Sequence, residues 1–371
     1  MKRLCICVIY DQENIIDSYI IHMLKEVKTC CTYLLVVCNA KSDWQGEDIS
    51  LYADQVVYRE NVGYDAGGYK DALCIYTGWS SLDAYDELIL LNDSFYGPFY
   101  PLQRIFQTMD AVIADFWGLT RSQAGMMPEG MRYEAHIQSY FLVFRKAVIR
   151  SGAFRTFWEL LTYPHTMDEA IKDFELGINK CLKRNGFRDA ALSDLYSSVL
   201  TARKNENPYM EYPLQLIRDC RIPILKYKAL FFGNSGYAGA LKAVRFIQEN
   251  NLYSTEYIEK HIMRKSKSEK GWIDFEVLEK FQKTHRRIFI YGFGTYGKNL
   301  GLYFQYRGWE TEGFLVTSTT EKDGQAIPFE QAQIEADDGI VVAVGKRQMC
   351  MEIQAYLQNK CKEEQLLFPN L

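Results

Sequence analysis

The stretch that decides the fold runs from Gln55 to Pro98 and contains two transitions from strand to turn. The apolar run Gln55-Val56-Val57-Tyr58 precedes Asn61-Val62-Gly63-Tyr64-Asp65-Ala66-Gly67-Gly68-Tyr69, and the run Glu87-Leu88-Ile89-Leu90-Leu91 stops at Asn92-Asp93-Ser94. In an open α/β sheet, ligands bind outside the carboxyl ends of the strands, so both turns should face one crevice. The sequence therefore predicts a binding site that these two turns form together.

The two turns differ in their chemistry. Glycines lack Cβ, so the first turn can take positive φ or lie close to a base or ribose, and its Asn and Asp add polar edges. A carboxylate at a strand end suits Mg²⁺ or Mn²⁺, which takes one or two protein carboxylates and completes its shell with diphosphate oxygens and water. An ordinary polar turn is the alternative. We predict a metal ligand at Asp93 and nucleotide-sugar contacts at Asn61, Gly63, Asp65, Gly68 and Asn92.

These motifs resemble the rhamnan synthesis protein F family, whose members are taken to be glycosyltransferases of GT-A fold. The resemblance rests on residues 61–69 and 91–98 and covers roughly residues 1–235. Further similar segments lie at 116–120, 136–144, 174–175, 182–187, 207–208, 212–217 and 221–226. It implies a nucleotide-sugar donor, an activated rhamnose in particular. The acceptor that it implies is a cell-surface polysaccharide or lipopolysaccharide, presented as a glycan or a lipid-linked glycan.

The composition is that of an ordinary globular protein. The 371 residues are 48% hydrophobic and 24% charged with a net charge of −4, which predicts about two domains and no nucleic-acid partner. The ten cysteines show no CxxC pair, so they predict a reducing cytoplasm rather than a zinc site. Acidic residues follow the first apolar run too soon for a signal peptide, and no run has membrane-spanning length.

Apolar runs alternate with helical patterns through about residue 92. Continuous apolar runs at Leu4–Tyr10, Tyr33–Cys38 and Glu87–Leu91 are typical of parallel strands, and Ile15 to Leu24 repeats at helical spacing, as does Tyr69 to Tyr76. This alternation predicts an α/β fold with a mostly parallel sheet and flanking helices. It matches the first half of a GT-A fold, although a doubly wound fold of another function would show the same pattern.

The segment from Pro101 to Arg150 holds two further candidate residues. Short strands are predicted at 111–113 and 115–120, a loop at Gln123–Arg132, and one strand from His136 to Phe144. His136 and Gln138 would share one face of a regular strand, so both are donor-binding candidates. The alternative is that both form hydrogen bonds within a polar layer.

A helix predicted from Met167 to Asn185 carries the candidate base. Glu175 falls inside the apolar stripe of this helix, and burial tends to raise the pKa of a carboxyl group, which suits a general base. The pair Phe174-Glu175 is similar to the element that deprotonates the acceptor hydroxyl in inverting GT-A enzymes. The alternative is an ion pair with a nearby Arg or Lys.

The segment 221–226 ends in Lys226, which could reach a diphosphate as a point charge or simply be solvated after a turn. Residues 236–284 are predicted to form a helical linker after a GT-A-like domain at 1–235. Their basic run, residues 264–267, is either a solvated turn or a peripheral contact with the inner, cytoplasmic membrane face.

A small Rossmann-like domain is predicted at 285–371. A strand at 288–291 leads into the GxGxxG turn formed by Gly292, Gly294 and Gly297, which opens a helix and makes these glycines candidates for accessory nucleotide binding. The acidic residue expected after the second strand is replaced by Thr317-Ser318-Thr319-Thr320, which argues against an NAD ribose contact. A purely structural domain is the alternative.

The sequence thus predicts a metal-assisted, inverting glycosyltransferase with Glu175 as base and Mg²⁺ or Mn²⁺ at Asp93. Two other functions stay open: an NAD(P)-dependent oxidoreductase that uses the C-terminal GxGxxG turn, and a non-catalytic subunit that binds a nucleotide sugar.

Overall fold

The computed structural model describes residues 1–40, 43–127, 130–199, 206–318 and 325–370. The chain forms two compact units. Unit 1 comprises Met1–Tyr227 and Phe246–Tyr253, and unit 2 comprises Lys228–Arg245 and Ser254–Leu371. The domain boundaries predicted at 235 and 285 stay predictions.

Unit 1 is built on a seven-stranded sheet. The strands are β1 Arg3–Ile9, β2 Tyr33–Cys38, β3 Gln55–Tyr58, β4 Glu87–Asn92, β5 Phe116–Gly118, β6 Phe141–Arg145 and β7 Asp189–Ala191. Their spatial order is β3-β2-β1-β4-β6-β5-β7, and only β6 runs antiparallel to its neighbours. The predicted α/β fold with a mostly parallel sheet is therefore confirmed.

Helices cover the sheet of unit 1 and bury its apolar strands. They are α1 Ser18–Lys28, α2 Tyr64–Asp71, α3 Leu102–Asp110, α4 Gly152–Leu160 and α5 Gly177–Arg184, with short turns at Trp79–Leu82, Lys146–Ile149, Met167–Glu169, Pro208–Glu211 and Pro213–Arg218. Wide π-helical turns at Ala72–Thr77 and Ala170–Leu176 extend α2 and precede α5. Trp158 and Phe174 pack with Tyr69 in one core against β1 and β4, where each buried aromatic side chain contributes about 1.5–3 kcal/mol.

The segment between β5 and β6 differs from the prediction. Residues 136–144 do not form one strand, because the chain turns between His136–Ile137 and β6. His136–Ile137 instead pairs with Arg121–Ser122. Residues 111–113 form the turn after α3 rather than a strand, and part of the predicted loop is a small hairpin of Gly125–Met126 with Arg132–Tyr133; Pro128 and Glu129 lie outside the described residues.

Unit 2 contains a five-stranded parallel sheet. Its strands are β8 Ile288–Tyr291, β9 Gly313–Val316, β10 Ala326–Pro328, β11 Gly339–Val342 and β12 Leu366–Leu367, in the order β10-β9-β8-β11-β12. The later helices are α6 Tyr237–Glu249, which crosses the unit boundary, α7 Thr255–Ser266, α8 Phe275–Thr284, α9 Thr295–Arg307 and α10 Arg347–Gln358. Among the helices of the described residues, none is both long and apolar enough to cross a membrane.

The GxGxxG turn lies between β8 and α9. A Cβ on Gly297 would stand 1.9 Å from the carbonyl oxygen of Gly292, whose own φ is +121°, so the tight turn itself requires both glycines. A Cβ on Gly294 would meet no described atom within 4 Å. The Rossmann-like assignment and accessory nucleotide binding at Gly292, Gly294 and Gly297 stay predictions, and Thr319 and Thr320 of the segment after β9 lie outside the described residues.

Candidate functional site

The candidate site of unit 1 lies where the strand order of the sheet reverses. The chain moves from β1 outward to β2 and β3 on one side and then returns to β4 on the other side, so the neighbours β1 and β4 flank a topological switch point. Asp93 follows β4 directly, and its Oδ2 accepts a hydrogen bond of 2.9 Å from the backbone N–H of Tyr10, at the end of β1. The predicted metal ligand therefore lies at the edge where open α/β sheets bind ligands.

The glycine-bearing bend, residues 61–69, reaches the same edge of the sheet. Gly63 and Tyr64 take positive φ, +81° and +54°, and Asp65 then lies in the first turn of α2. Its Oδ1 accepts from the N–H of Ala66 at 2.9 Å, and its Oδ2 accepts from the side-chain amide of Asn92 at 2.8 Å. The structure thus joins the two turns that the sequence placed together.

Asp65 is electrostatically perturbed. Its burial raises the pKa above the ordinary value, the negative charge of Glu175 adds to the rise, and the hydrogen bond from Asn92 and the charge of Lys226 offset part of it. The group therefore marks a place where charges of both signs converge in a half-buried environment. Carboxyl groups with a perturbed pKa in such places are typical of functional sites.

The neighbouring glycines meet protein atoms. A Cβ on Gly67 would lie 2.1 Å from the carbonyl oxygen of Val62, and a Cβ on Gly68 would lie 2.9 Å from the methyl groups of Val8 in β1. The small size of Gly67 therefore lets the first turn of α2 lie close to the preceding bend, and that of Gly68 lets α2 pack closely on β1. The donor contact predicted for Gly68 stays a prediction, as does that of Asn61, which is exposed at the start of the bend.

A buried arginine, which the sequence analysis missed, holds the bend. Arg59 donates to Asp71 Oδ2 at 2.7 Å, to Asn39 Oδ1 at 2.7 Å and to the carbonyl oxygen of Val62 at 2.9 Å. Tyr163 donates its hydroxyl to the other oxygen of Asp71 at 2.6 Å. The only sequence signal is a charged residue directly after a strand, which surface turns also show.

Lys226 joins the site from far along the chain. The two-residue strand Leu225–Lys226 pairs antiparallel with Phe95–Tyr96, directly after β4. The ammonium group donates to Ser94 Oγ and lies 4.6 Å from the ring centroid of Tyr140, while Ser94 donates its hydroxyl to Asn92 Oδ1 at 2.5 Å. A continuous polar chain therefore runs from the cation through Ser94 and Asn92 to Asp65.

Glu175 lies in the wide turn that precedes α5. Its Oε1 is 3.1 Å from Nε2 of His136, and its Oε2 accepts from the N–H of Ser139 at 2.8 Å and from its hydroxyl at 2.5 Å. Burial alone would raise the pKa of Glu175, but the contacts with His136 and Ser139 outweigh it and hold the pKa below the ordinary value. The expectation of a raised pKa was wrong, and the partner is a histidine rather than the Arg or Lys of the alternative.

The two candidates on the predicted strand face different partners. His136 is buried against Glu175, whereas Gln138 accepts a hydrogen bond of 2.8 Å from the hydroxyl of Thr120. The hydroxyl of Thr120 also contacts that of Tyr140, at 3.2 Å. Gln138 thus belongs to a buried polar layer next to Tyr140, whose ring contacts the ammonium group of Lys226. The donor contact predicted for Gln138 stays a prediction.

The donor set around Asp93 limits the kind of metal site. Within the described ranges, no three His, Cys, Asp or Glu side chains are grouped so as to hold a metal ion. One carboxylate fits an Mg²⁺ or Mn²⁺ ion that takes its other ligands from diphosphate and water, and does not fit an all-protein cage. Ser94, Ser139 and Tyr140 were missed as site residues because single polar residues in turns carry no sequence signal.

The chain matches a protein-family model over most of its length. The family model for Rhamnan synthesis protein F matches residues 34–300, which extends beyond the 1–235 expected from the motifs and into unit 2. A curated relative, the virulence protein VirA of Vibrio anguillarum (strain ATCC 68554 / 775), is 24% identical over 251 residues, which are 61% of this chain and 78% of the relative.

Comparison with solved structures gives distant similarities. TarS 1–349 of S. aureus aligns over 69% of this chain and 73% of its own, with 14% identity and a TM-score of 0.32. The glycosyltransferase GlyE of Streptococcus pneumoniae TIGR4 aligns over 98% of this chain and 92% of its own, with 11% identity and a TM-score of 0.30.

Proposed function

Because the chain belongs to the rhamnan synthesis protein F family, we propose that it is a glycosyltransferase that moves a sugar from a nucleoside-diphosphate donor to a growing polysaccharide. In its finer form the proposal names an activated rhamnose as the donor sugar and a cell-surface polysaccharide or lipopolysaccharide, carried as a glycan or a lipid-linked glycan, as the acceptor. The name of the family supports rhamnose as the sugar, and the chemistry of the site supports a nucleoside diphosphate as its carrier.

One observation carries the proposal: a polar chain of Lys226, Ser94, Asn92 and Asp65 lies beside Asp93 at the switch point of a mostly parallel sheet. A nucleoside diphosphate presents anionic oxygens next to ribose and sugar hydroxyls. A lysine can bind the anionic oxygens as a point charge, and carboxylate and amide groups can form hydrogen bonds with the ribose and sugar hydroxyls. The cluster therefore offers both kinds of group within one hydrogen-bonded chain.

The residues take the following roles. Lys226 binds the diphosphate, Asp65 and Asn92 orient the donor, and Asp93 would hold Mg²⁺ or Mn²⁺. A bound ion at that place would help to neutralise the departing nucleoside diphosphate. Glu175, ionised because its pKa is lowered, takes the proton of the acceptor hydroxyl, which implies attack on the face opposite the leaving group and inversion at the anomeric carbon.

The test uses the full chain and a panel of nucleoside diphosphates and nucleotide sugars with Mn²⁺, with nicotinamide dinucleotides as comparison ligands. Lys226→Met should weaken nucleoside-diphosphate binding by about ten-fold or more in calorimetry, since it removes a charge-assisted contact of roughly 1.5–3 kcal/mol. The matched control is Lys228→Met, which removes an exposed lysine two residues later and should bind as wild type does.

If the two variants bind nucleoside diphosphates with equal affinity, the diphosphate does not bind at Lys226. Binding of nucleotide sugars without release of nucleoside diphosphate, in the presence of candidate acceptors, would leave the chain as a binding subunit. A preference for nicotinamide dinucleotides would favour the oxidoreductase function instead.

A further inference from the structure

His136 and Glu175 hold a proton between them. Nδ1 of His136 lies 3.0 Å from the carbonyl oxygen of Glu134, and a carbonyl oxygen only accepts, so Nδ1 carries a hydrogen. Nε2 lies 3.1 Å from Oε1 of Glu175. That contact is a hydrogen bond only if a second hydrogen sits on Nε2 or on the carboxyl group.

The other carboxylate oxygen decides where this hydrogen sits. Oε2 of Glu175 accepts from both the backbone N–H and the hydroxyl of Ser139, and two donors on one oxygen favour the ionised carboxylate. The hydrogen therefore belongs to Nε2. Assigned in this way from the chemistry of its partners, His136 is an imidazolium paired with a carboxylate.

The pair sits among other titratable groups. Asp65 of α2 faces Glu175 with a like charge, and Tyr140, which precedes β6, also lies within its electrostatic reach. On the histidine side, the edge of the ring contacts Tyr133 at 5.5 Å between centroids. Lys183 of α5 donates to the backbone of residue 135, but its charge pairs with Asp189 of β7 at 3.0 Å.

Without the imidazolium, Glu175 would lose the contact that most lowers its pKa. The side chain is only 17% exposed, and the charge of Asp65 opposes a second negative charge nearby. Desolvation and a like charge both favour the neutral acid, and a neutral acid cannot take a proton. The two contacts from Ser139 act in the opposite direction, but they bring no formal positive charge.

We propose that His136 is a positioning residue for sugar transfer: it keeps Glu175 ionised and directs the remaining lone pair of Oε1 towards the acceptor hydroxyl. This inference rests on the proposed function. A carboxylate offers about four acceptor sites. Among the described residues, Ser139 takes two of them and His136 a third.

In the transfer step, the acceptor hydroxyl gives its proton to Oε1 of Glu175 as its oxygen bonds to the anomeric carbon. The bond from that carbon to the diphosphate oxygen breaks, and the nucleoside diphosphate leaves with the bonding electron pair. The hydrogen on Nε2 of His136 stays in place throughout.

The first experiment reads the pair without any substrate. The chain has five histidines, so ¹⁵N-labelled histidine gives a tractable NMR spectrum, in which His136→Gln identifies the signals of that ring. We expect hydrogen on both ring nitrogens of His136 in the wild-type protein, and on one of them only in Glu175→Gln. A neutral ring with hydrogen on Nδ1 alone in the wild-type protein would overturn the inference, whatever the protein's activity.

The second experiment is the pH profile of kcat. Glu175 must be ionised to act, so activity falls as the pH drops through its pKa, and loss of the imidazolium should move this acid limb to higher pH by about one unit or more in His136→Gln. Activity should recover on the alkaline plateau. The matched control, His165→Gln, alters an exposed histidine and should leave the profile unchanged. An acid limb that does not move would reduce His136 to a structural role.

A third variant guards against a folding defect in His136→Gln. Ser139→Ala keeps the backbone N–H and loses one hydroxyl donor, so its acid limb should move in the same direction by a smaller amount. A shift to lower pH would contradict the inference. If the wild-type protein transfers no sugar from any donor, the proposed function fails, and the NMR experiment still decides whether the ion pair exists.

Discussion

Replacing Arg59 by methionine should destabilise unit 1 more than any loss of an exposed ion pair. The side chains of Arg59 and Asp71 are only 7% and 12% exposed, and Arg59 donates three hydrogen bonds of 2.7, 2.7 and 2.9 Å around the glycine-bearing bend. Removing one partner of a buried pair costs about 3–5 kcal/mol, because the other charge stays buried. Tyr163 still donates to Asp71, which places the expected loss near the lower end, at about 3 kcal/mol.

The assay is urea unfolding followed by tryptophan fluorescence, with hydrogen exchange of α2 to report on unit 1 separately. The double variant Arg59→Met with Asp71→Asn should lose less stability than the sum of the two single variants, because the second change removes the stranded charge. The control is Arg155→Met, which breaks an i,i+4 pair with Glu159 at 58% and 42% exposure and should cost about 0.5 kcal/mol or less. Equal losses for Arg59→Met and Arg155→Met would refute this reasoning.

Two further predictions concern the same edge of the sheet. Gly67→Ala should lower the free energy of unfolding in urea by about 1–3 kcal/mol, because the Cβ of alanine would lie 2.1 Å from the carbonyl oxygen of Val62. Alanine is the better helix former, so a neutral or stabilising result would contradict the packing role of this glycine. Asp93→Asn should remove the dependence of nucleotide binding on Mn²⁺, with metal affinity in calorimetry reduced by about ten-fold or more, and undiminished stimulation by Mn²⁺ in this variant would place the ion elsewhere.

The buried strands of unit 1 up to Leu91 could be predicted, but the order of the strands in the sheet could not. Leu4 to Ile9 and Leu88 to Leu91 are buried on both faces, and the continuous apolar runs show this. Phe141 to Phe144 in β6 is just as apolar, yet β6 runs antiparallel between β4 and β5. Continuous apolar runs of this kind indicate that a strand is buried on both faces. The direction of that strand depends on the connections, which here include a turn after Ile137 that periodicity did not show.

The place of the candidate site could be predicted better than its electrostatics. Asp65 and Asn92 were expected at one edge because both follow parallel strands, and their side chains are hydrogen-bonded at 2.8 Å. Helical periodicity put Glu175 on the buried face, but residues 170–176 form a wide turn in which spacing at 100° per residue does not hold. Periodicity also says nothing about partners, so the lowering of the pKa by His136 and Ser139 could not be foreseen.

The glycine cluster locates the site through packing rather than through its own contacts. Gly67 leaves room for the carbonyl oxygen of Val62, and Gly68 leaves room for the side chain of Val8. Gly67 thus lets the first turn of α2 lie close to the preceding bend, and Gly68 lets α2 lie close to β1. In this position the carboxylate of Asp65 accepts a hydrogen bond from Asn92 at the end of β4. A larger residue at 68 would push the helix away from β1, and one at 67 would push its first turn away from Val62, so we expect either change to displace this carboxylate. The glycines are therefore needed at the site because they place an acid there, whether or not a ligand touches them.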